Sequence, residues 1–404
     1  MSILPRLTCL LAPLWGAVHA HAERVDFQAS PNASTPSLAV DPARGLIITW
    51  QSRQGSESSL HYALLSAEGR ELRRGVIASG SDWFVNWADF PSLTVLDNND
   101  WVTYWLQKSA PDAYAYDLRV LRSSNGGGRW GEALTPHDDG TPTEHGFASM
   151  LPLGDSRVQL LWLDGRHSGG AAEGHAEGHA DEGPMTLRGA TLDWRGRILD
   201  PVEIDARTCS CCQTDVARIG DRALLVYRDR SEDEIRDIYL VERAGDGSWS
   251  SPEPVHADNW KIAACPVNGP AIAANGDRAL VVWPTQVDDA LAVRYRVRIG
   301  DGWSPMQTLE QAPQTLGRVD VAPDVDGGFA ISWIGAGSKR VAALKLARLD
   351  ADGKLLTTRD VAVLEPGRST GNPRLAWYRD AHYLTWTESA GSGNTRIALE
   401  RIAR

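Results

Sequence analysis

Four cysteines fall in two short runs: CSCCQT holds Cys209, Cys211 and Cys212, and AACPVNG holds Cys265. Thiolates are soft ligands that favour copper(I) and zinc, and in an exported protein the same sulfurs pair as disulfides. Vicinal cysteines rarely bond each other without strain, so Cys265 with one of the other three is the natural bridge, and two thiols then remain. His145 and His167 are placed to complete a metal shell. His175 and His179 stand four residues apart in the glycine-flanked run HSGGAAEGHAEGHADEGPM, among Glu173, Glu177 and Asp181. The four cysteines and four histidines are the expected metal ligands, with copper or zinc as the ion.

A second set combines cations with carboxylates. Arg166, Arg228, Arg230, Arg236, Arg318 and Arg374, with Asn268 beside them, border the same kind of segment. Several guanidinium forks on one face suit a carboxylate, sulfate or phosphate. Asp164, Asp229, Glu232, Glu234 and Asp237 are candidate general acids and bases for glycoside cleavage, which needs two carboxyl groups flanking the scissile bond. The chain has no phosphate-cradling loop or His-Glu-x-x-His pair.

These residues need a scaffold, and the scaffold is written as a repeat. A short strand, a turn with Asp, Gly or Asn, and an apolar strand ending in Trp or Tyr recur, closing at Trp50, Trp105, Trp162, Tyr227, Trp283, Trp333 and Trp386. Seven copies about 55 residues apart predict an all-β, seven-bladed β-propeller of four-stranded antiparallel blades, with a six-bladed ring as the alternative. The repeated aromatic is expected to pack between blades. The last copy ends after its third strand, so the segment around ERVDFQAS is expected to supply the outer strand and close the ring, hiding two sheet edges. In a propeller, loops leading into the inner strands and loops joining second to third strands gather on one face. That geometry draws the cysteines, histidines and arginines of blades three to five together.

The turn SSNGGGRW, Ser123 to Trp130, resembles the Asp-box of sialidases and other neuraminidase-like propellers, with Asn125 in place of Asp and Arg129 in place of Thr; GDGSW and GDGW, ending at Trp249 and Trp303, are weaker copies. CSCCQT and CPVNGPA are similar to segments of bacterial exported propellers described as sialidase-like. In the superfamily the box is a folding device away from the active face. Sialidases also resemble one another in an Arg-Ile-Pro segment, three arginines on the substrate carboxylate, an Asp acid/base and a Tyr/Glu nucleophile pair. The mature chain has no Arg-Ile-Pro.

Residues 1–22 carry an apolar run after Arg6 and small residues at Ala20 and Ala22, the layout of a secretory signal peptide. A periplasmic or secreted location is expected, with residues 23–404 as one domain and 167–185 as a flexible loop. A net charge of -11 speaks against nucleic acid, and no later segment is apolar enough to span a membrane. The expected function is binding of a transition metal or small ligand at the channel face. An exo-acting, sialidase-like glycoside hydrolase on acidic sugars is the alternative, and a scaffold with structural disulfides that docks another envelope protein is the third reading.

Overall fold

The computed structural model describes residues 22–111, 114–168, 183–337, 341–365 and 367–403. Most of the expected signal segment, and His175 and His179, lie outside the described residues.

Apolar and polar residues alternate with period two in short runs, which makes strands with one face for each neighbouring sheet. Blade one consists of Ala33–Asp41, Gly45–Gln54, Glu57–Leu65 and Glu71–Gly80, paired in that order as an antiparallel meander. Six more sheets follow. Their inner strands lie side by side around the ring, and the last meets the first. Blade seven takes its fourth strand from the other end of the chain: Ala22–Arg24 pairs with Asn394–Ala403 in the register Ala22↔Ile402, Glu23↔Arg401 and Arg24↔Glu400. Arg24 adds a bidentate contact to Glu388 at 2.8 and 3.0 Å. The expected closure by the N-terminal segment is what the structure has.

Two blades depart from the four-strand pattern. In blade two the fourth strand is reduced to a single bridge, Val120↔Leu134, and in blade five it is divided between Gly302–Trp303 and Gln307–Ala312, both paired with Ala290–Ile299.

All seven repeat aromatics sit on second strands and are buried, Trp50, Tyr227, Trp283 and Trp386 completely. Aromatic side chains of this size bury roughly 150–250 Å2 each, worth about 4–6 kcal/mol of transfer free energy at ~25 cal/mol per Å2. The Asp-box-like turn is closed by side chains: Ser123 Oγ accepts from the Gly127 amide at 2.8 Å and Asn125 Oδ1 from the Arg129 amide at 2.8 Å. This leaves the box in blade two as a hairpin device.

Candidate active site

The first strands of blades one, three and six each carry a bulge, and at each bulge one non-glycine residue takes a left-handed backbone: Thr35, Phe147 and Arg318, with φ of 50°, 49° and 51°. Bulges re-aim side chains, and such conformations persist only where the surroundings enforce them. Phe147 and Arg318 both line a cavity of about 240 Å3 whose walls include residues from all seven inner strands or the segments leading into them, which identifies it as the central channel. Asp89, Tyr104, Gln213, Asp215 and Arg374 belong to its polar lining.

Asp89 comes from the segment before blade two's inner strand. Its Oδ1 accepts from the Phe147 amide at 2.9 Å, and its Oδ2 faces the Tyr116 hydroxyl at 3.4 Å. Any side chain at Gly146 would run into that carboxylate. Burial pushes Asp89 up to about 7, against the pull of the two hydrogen bonds. Glu144 is pushed up to about 8 by burial and by the charge of Asp89, and the Tyr116 phenol is raised by burial and by both carboxyls. Asp89, Tyr116 and Glu144 thus form one acidic group, with Phe84 stacked on Tyr116 at 4.1 Å.

Two blades further round the ring, Asp215 accepts from the amides of Val216 and Ile272 at 2.9 and 2.8 Å, and burial pushes it up to about 6 although Arg374 opposes this. Asp320 makes the equivalent link one blade pair further on, to Val321 and Leu375, and stands 3.3 Å from the Nε of Arg374. These carboxylates latch successive blades together as well as lining the channel. Arg318 differs from Arg374. It donates to the carbonyls of Gly367 and Gly371 at 2.9 and 3.0 Å and lies over Trp87 at 4.4 Å, yet no carboxylate pairs with it among the described residues. Burial lowers its proton affinity to about 10, so it remains a cation at neutral pH.

The other expected ligands of the arginine set are spent elsewhere. Arg228, 1% exposed, donates to the carbonyls of Asn268, Arg236 and Pro284 at 2.6–3.0 Å. Asn268 accepts from the Arg318 amide at 2.9 Å and thereby holds its bulge. Arg230 and Arg236 both grip Glu234; burial would raise that carboxyl, but the two cations hold it below its usual range. Asp237 accepts from the amides of Asn259 and Trp260 at 2.9 and 3.0 Å. Asp229 is pushed up to about 6, chiefly by burial. Asp164 is chelated by Arg166 at 2.7 and 2.9 Å and by the Trp162 indole at 2.8 Å. Tyr227 donates to Asp205 from within the blade core.

His145 does not stand alone. Its ring stacks on His137 at 3.7 Å, nearly parallel, between Asp117 on one edge and Asp139 with Asp164 on the other. The His137 side chain is 3% exposed, with Nδ1 3.3 Å from Asp139 and Nε2 3.8 Å from Asp117. His167 is exposed. The four cysteines do converge: Cys211 and Cys265 form a disulfide, while Cys209 and Cys212 are buried thiols with sulfurs 3.0 Å apart.

Asp89, Tyr116, Glu144, Asp215 and Asp320, and the partners His137, Asp117 and Asp139, are not singled out by residue chemistry in the sequence. The signal that finds several of them is positional: WFVNWADF, TPTEHGF and RTCSCCQTD lead into inner strands, so their carboxylates face the channel.

No family model matches the sequence, and no curated protein matches it. Among solved structures the chain is similar to the GH93 α-L-arabinofuranosidase of Fusarium graminearum in complex with arabinobiose, at 13% identity and a TM-score of 0.50, covering 77% of this chain and 92% of that one. It is also similar to Trypanosoma rangeli sialidase, at 11% identity and a TM-score of 0.50 over 96% of this chain, of which it spans 60% of the length. At such identities the likeness is one of architecture alone: the chain is a seven-bladed β-propeller similar in fold to these two solved structures.

Proposed function

We propose that this propeller is an exo-acting glycoside hydrolase that takes an acidic sugar into the central channel. The observation that carries the reading is Arg318, a buried cation with no carboxylate partner among the described residues, lining the same cavity as two carboxyl groups with raised proton affinity. A buried charge that lacks a partner is costly, and the carboxylate of a bound sugar would supply one. Asp89, protonated up to about pH 7, is the general acid toward the glycosidic oxygen. Asp215, ionised above about pH 6, is the base or nucleophile, and Arg374 supports its charge. A cavity of about 240 Å3 suits one terminal sugar ring better than an internal stretch of polymer. The solved structures of similar fold are named as an arabinofuranosidase and a sialidase, so the test is a panel of fluorogenic glycosides. Sialosides and hexuronides are expected to be cleaved and the neutral α-L-arabinofuranoside to be a poor substrate. A preference for the neutral sugar would remove the role given to Arg318.

A transition metal has its own footing in the His137–His145 stack. His137 is buried with its nitrogens facing Asp139 at 3.3 Å and Asp117 at 3.8 Å, and Asp117, His137 and His145 bring their ligand atoms within 4.8 Å of one another, as do Asp139, His145 and Asp164. Imidazole and carboxylate suit zinc or copper, and the nearly parallel rings would have to tilt for both to reach one ion. Elemental analysis of purified protein is the check. About one equivalent of zinc or copper, lost in His137→Asn, is the expected result; metal-free protein at normal stability counts against it.

A further inference from the structure

The cysteines form a graded series from the core to the surface. Cys212 and Cys209 are buried, Cys211 is half-buried and Cys265 is exposed. Cys209 Sγ lies 3.0 Å from Cys212 Sγ on one side and 3.8 Å from Cys211 Sγ on the other, and Cys211 is bonded to Cys265. A thiol pair in Cys-x-x-Cys spacing therefore abuts a disulfide whose outer sulfur faces solvent. Arg236 Nη1 is 3.5 Å from Cys209 Sγ, and Ser210 Oγ is 3.7 Å from Cys265 Sγ.

From this arrangement we infer that the four cysteines are a thiol–disulfide exchange site that moves a disulfide between the surface pair Cys211–Cys265 and the buried pair Cys209–Cys212. Cys209 loses its proton to solvent and attacks Cys211 Sγ. The Cys209–Cys211 bond forms, the Cys211–Cys265 bond breaks, and the electron pair leaves on Cys265, which takes a proton from water. Cys212, deprotonated in turn, then attacks Cys209 Sγ and expels Cys211 as a thiolate that is protonated. Two thiols and one disulfide are present before and after, so no external oxidant enters.

The chemistry of each position fits its role. The thiolate is the nucleophile in exchange. Burial disfavours a thiolate at Cys209, but the Cys212 S–H and the charges of Arg236 and Arg228 outweigh it and bring the thiol below its ordinary value. Cys212 goes the other way, raised by burial and by the neighbouring sulfur, as befits a resolving thiol that acts second. The leaving sulfur is the exposed one, where water stabilises the departing charge. The external partner that fits is a protein dithiol or disulfide able to reach Cys265 and no deeper.

The test is alkylation of the native, non-reduced protein with iodoacetamide, followed by digestion without reductant and mass spectrometry. Labelling of Cys265 and Cys211 is expected, together with recovery of a Cys209–Cys212 disulfide, because capping the exposed thiol draws the exchange forward. Cys209→Ser is expected to slow labelling of Cys265 on the order of tenfold or more. Cys212→Ser is expected to accumulate the Cys209–Cys211 disulfide with Cys265 labelled, which keeps the test valid should the first variant fold poorly. A wild-type protein that yields only the Cys211–Cys265 disulfide, with Cys265 labelled no faster than in Cys209→Ser, overturns the inference. Four thiols bound to a metal with no disulfide overturn it equally.

Discussion

An Asp89→Asn protein is expected to lose glycoside turnover by about 10²- to 10⁴-fold, the usual weight of a general acid, and to become more resistant to unfolding above pH 7. Both effects come from one seat. Asparagine keeps an oxygen for the Phe147 amide, and its new N–H can donate to the Tyr116 hydroxyl. It has no proton to give to a leaving group. A carboxyl in an unfolded chain ionises near pH 4, whereas Asp89 does so at about 7. Its contribution to stability is therefore complete below pH 4, falls while only the unfolded chain is ionised, and is lost once pH passes 7. The linkage of about 1.4 kcal/mol per pH unit makes that loss about 4 kcal/mol. Urea unfolding at pH 5 and pH 8.5 reads about two of those three pH units, about 2.7 kcal/mol: the midpoint is expected to drop with alkalinity less in Asp89→Asn than in the parent. Equal drops would show that Asp89 sits in water.

Replacing Arg228 by Leu is expected to destabilise the ring by about 3–5 kcal/mol, the range seen when one partner of a buried charged network is removed. The guanidinium ends blade four's second strand and bonds three carbonyls, those of Asn268, Arg236 and Pro284, so it ties blade four to blade five. Trp260 covers it at 4.8 Å. Leucine fills part of the space and leaves all three carbonyls without their donor. Arg228→Lys is expected to fall between, since one ammonium cannot reproduce the fork. Denaturant midpoints check the size of the loss. Because Arg228 does not line the channel cavity, turnover per folded molecule is expected to stay within about twofold, which separates this structural cation from Arg318.

The ring was legible because it is periodic. Seven aromatic-ended strands and period-two alternation are local signals, and each of those aromatics is where the repeat puts it, in the space between sheets. Closure by the N-terminal segment follows from an unpaired last blade. The irregular outer edges of blades two and five were not legible, since outer strands face solvent on one side and carry little apolar pattern. The sulfur pairing was half legible: spacing requires Cys265 to seek a partner among three, and only the path of the chain into blade four selects Cys211.

The channel carboxylates were hidden for a different reason. Asp89 lies in an aromatic segment without periodicity, and its raised proton affinity exists only after blade three has closed over it through Phe147 and Gly146. Conversely, Arg228, Arg236 and Glu234 are conspicuous as residue types, but in the folded chain they satisfy one another and the backbone. Composition reports which charges are present. Burial and partner geometry decide which remain available to a ligand.

The pH dependence of kcat/KM for a fluorogenic sialoside or hexuronide tests whether Asp89 and Asp215 act as an acid and base pair in the channel. A narrow bell is expected: activity falls below about pH 6 as Asp215 takes up a proton and above about pH 7 as Asp89 loses its own. In Asp89→Asn the residual rate is expected to lose the alkaline limb. Absence of turnover on every acidic glycoside across the pH range, or a profile unchanged by Asp89→Asn, would contradict it.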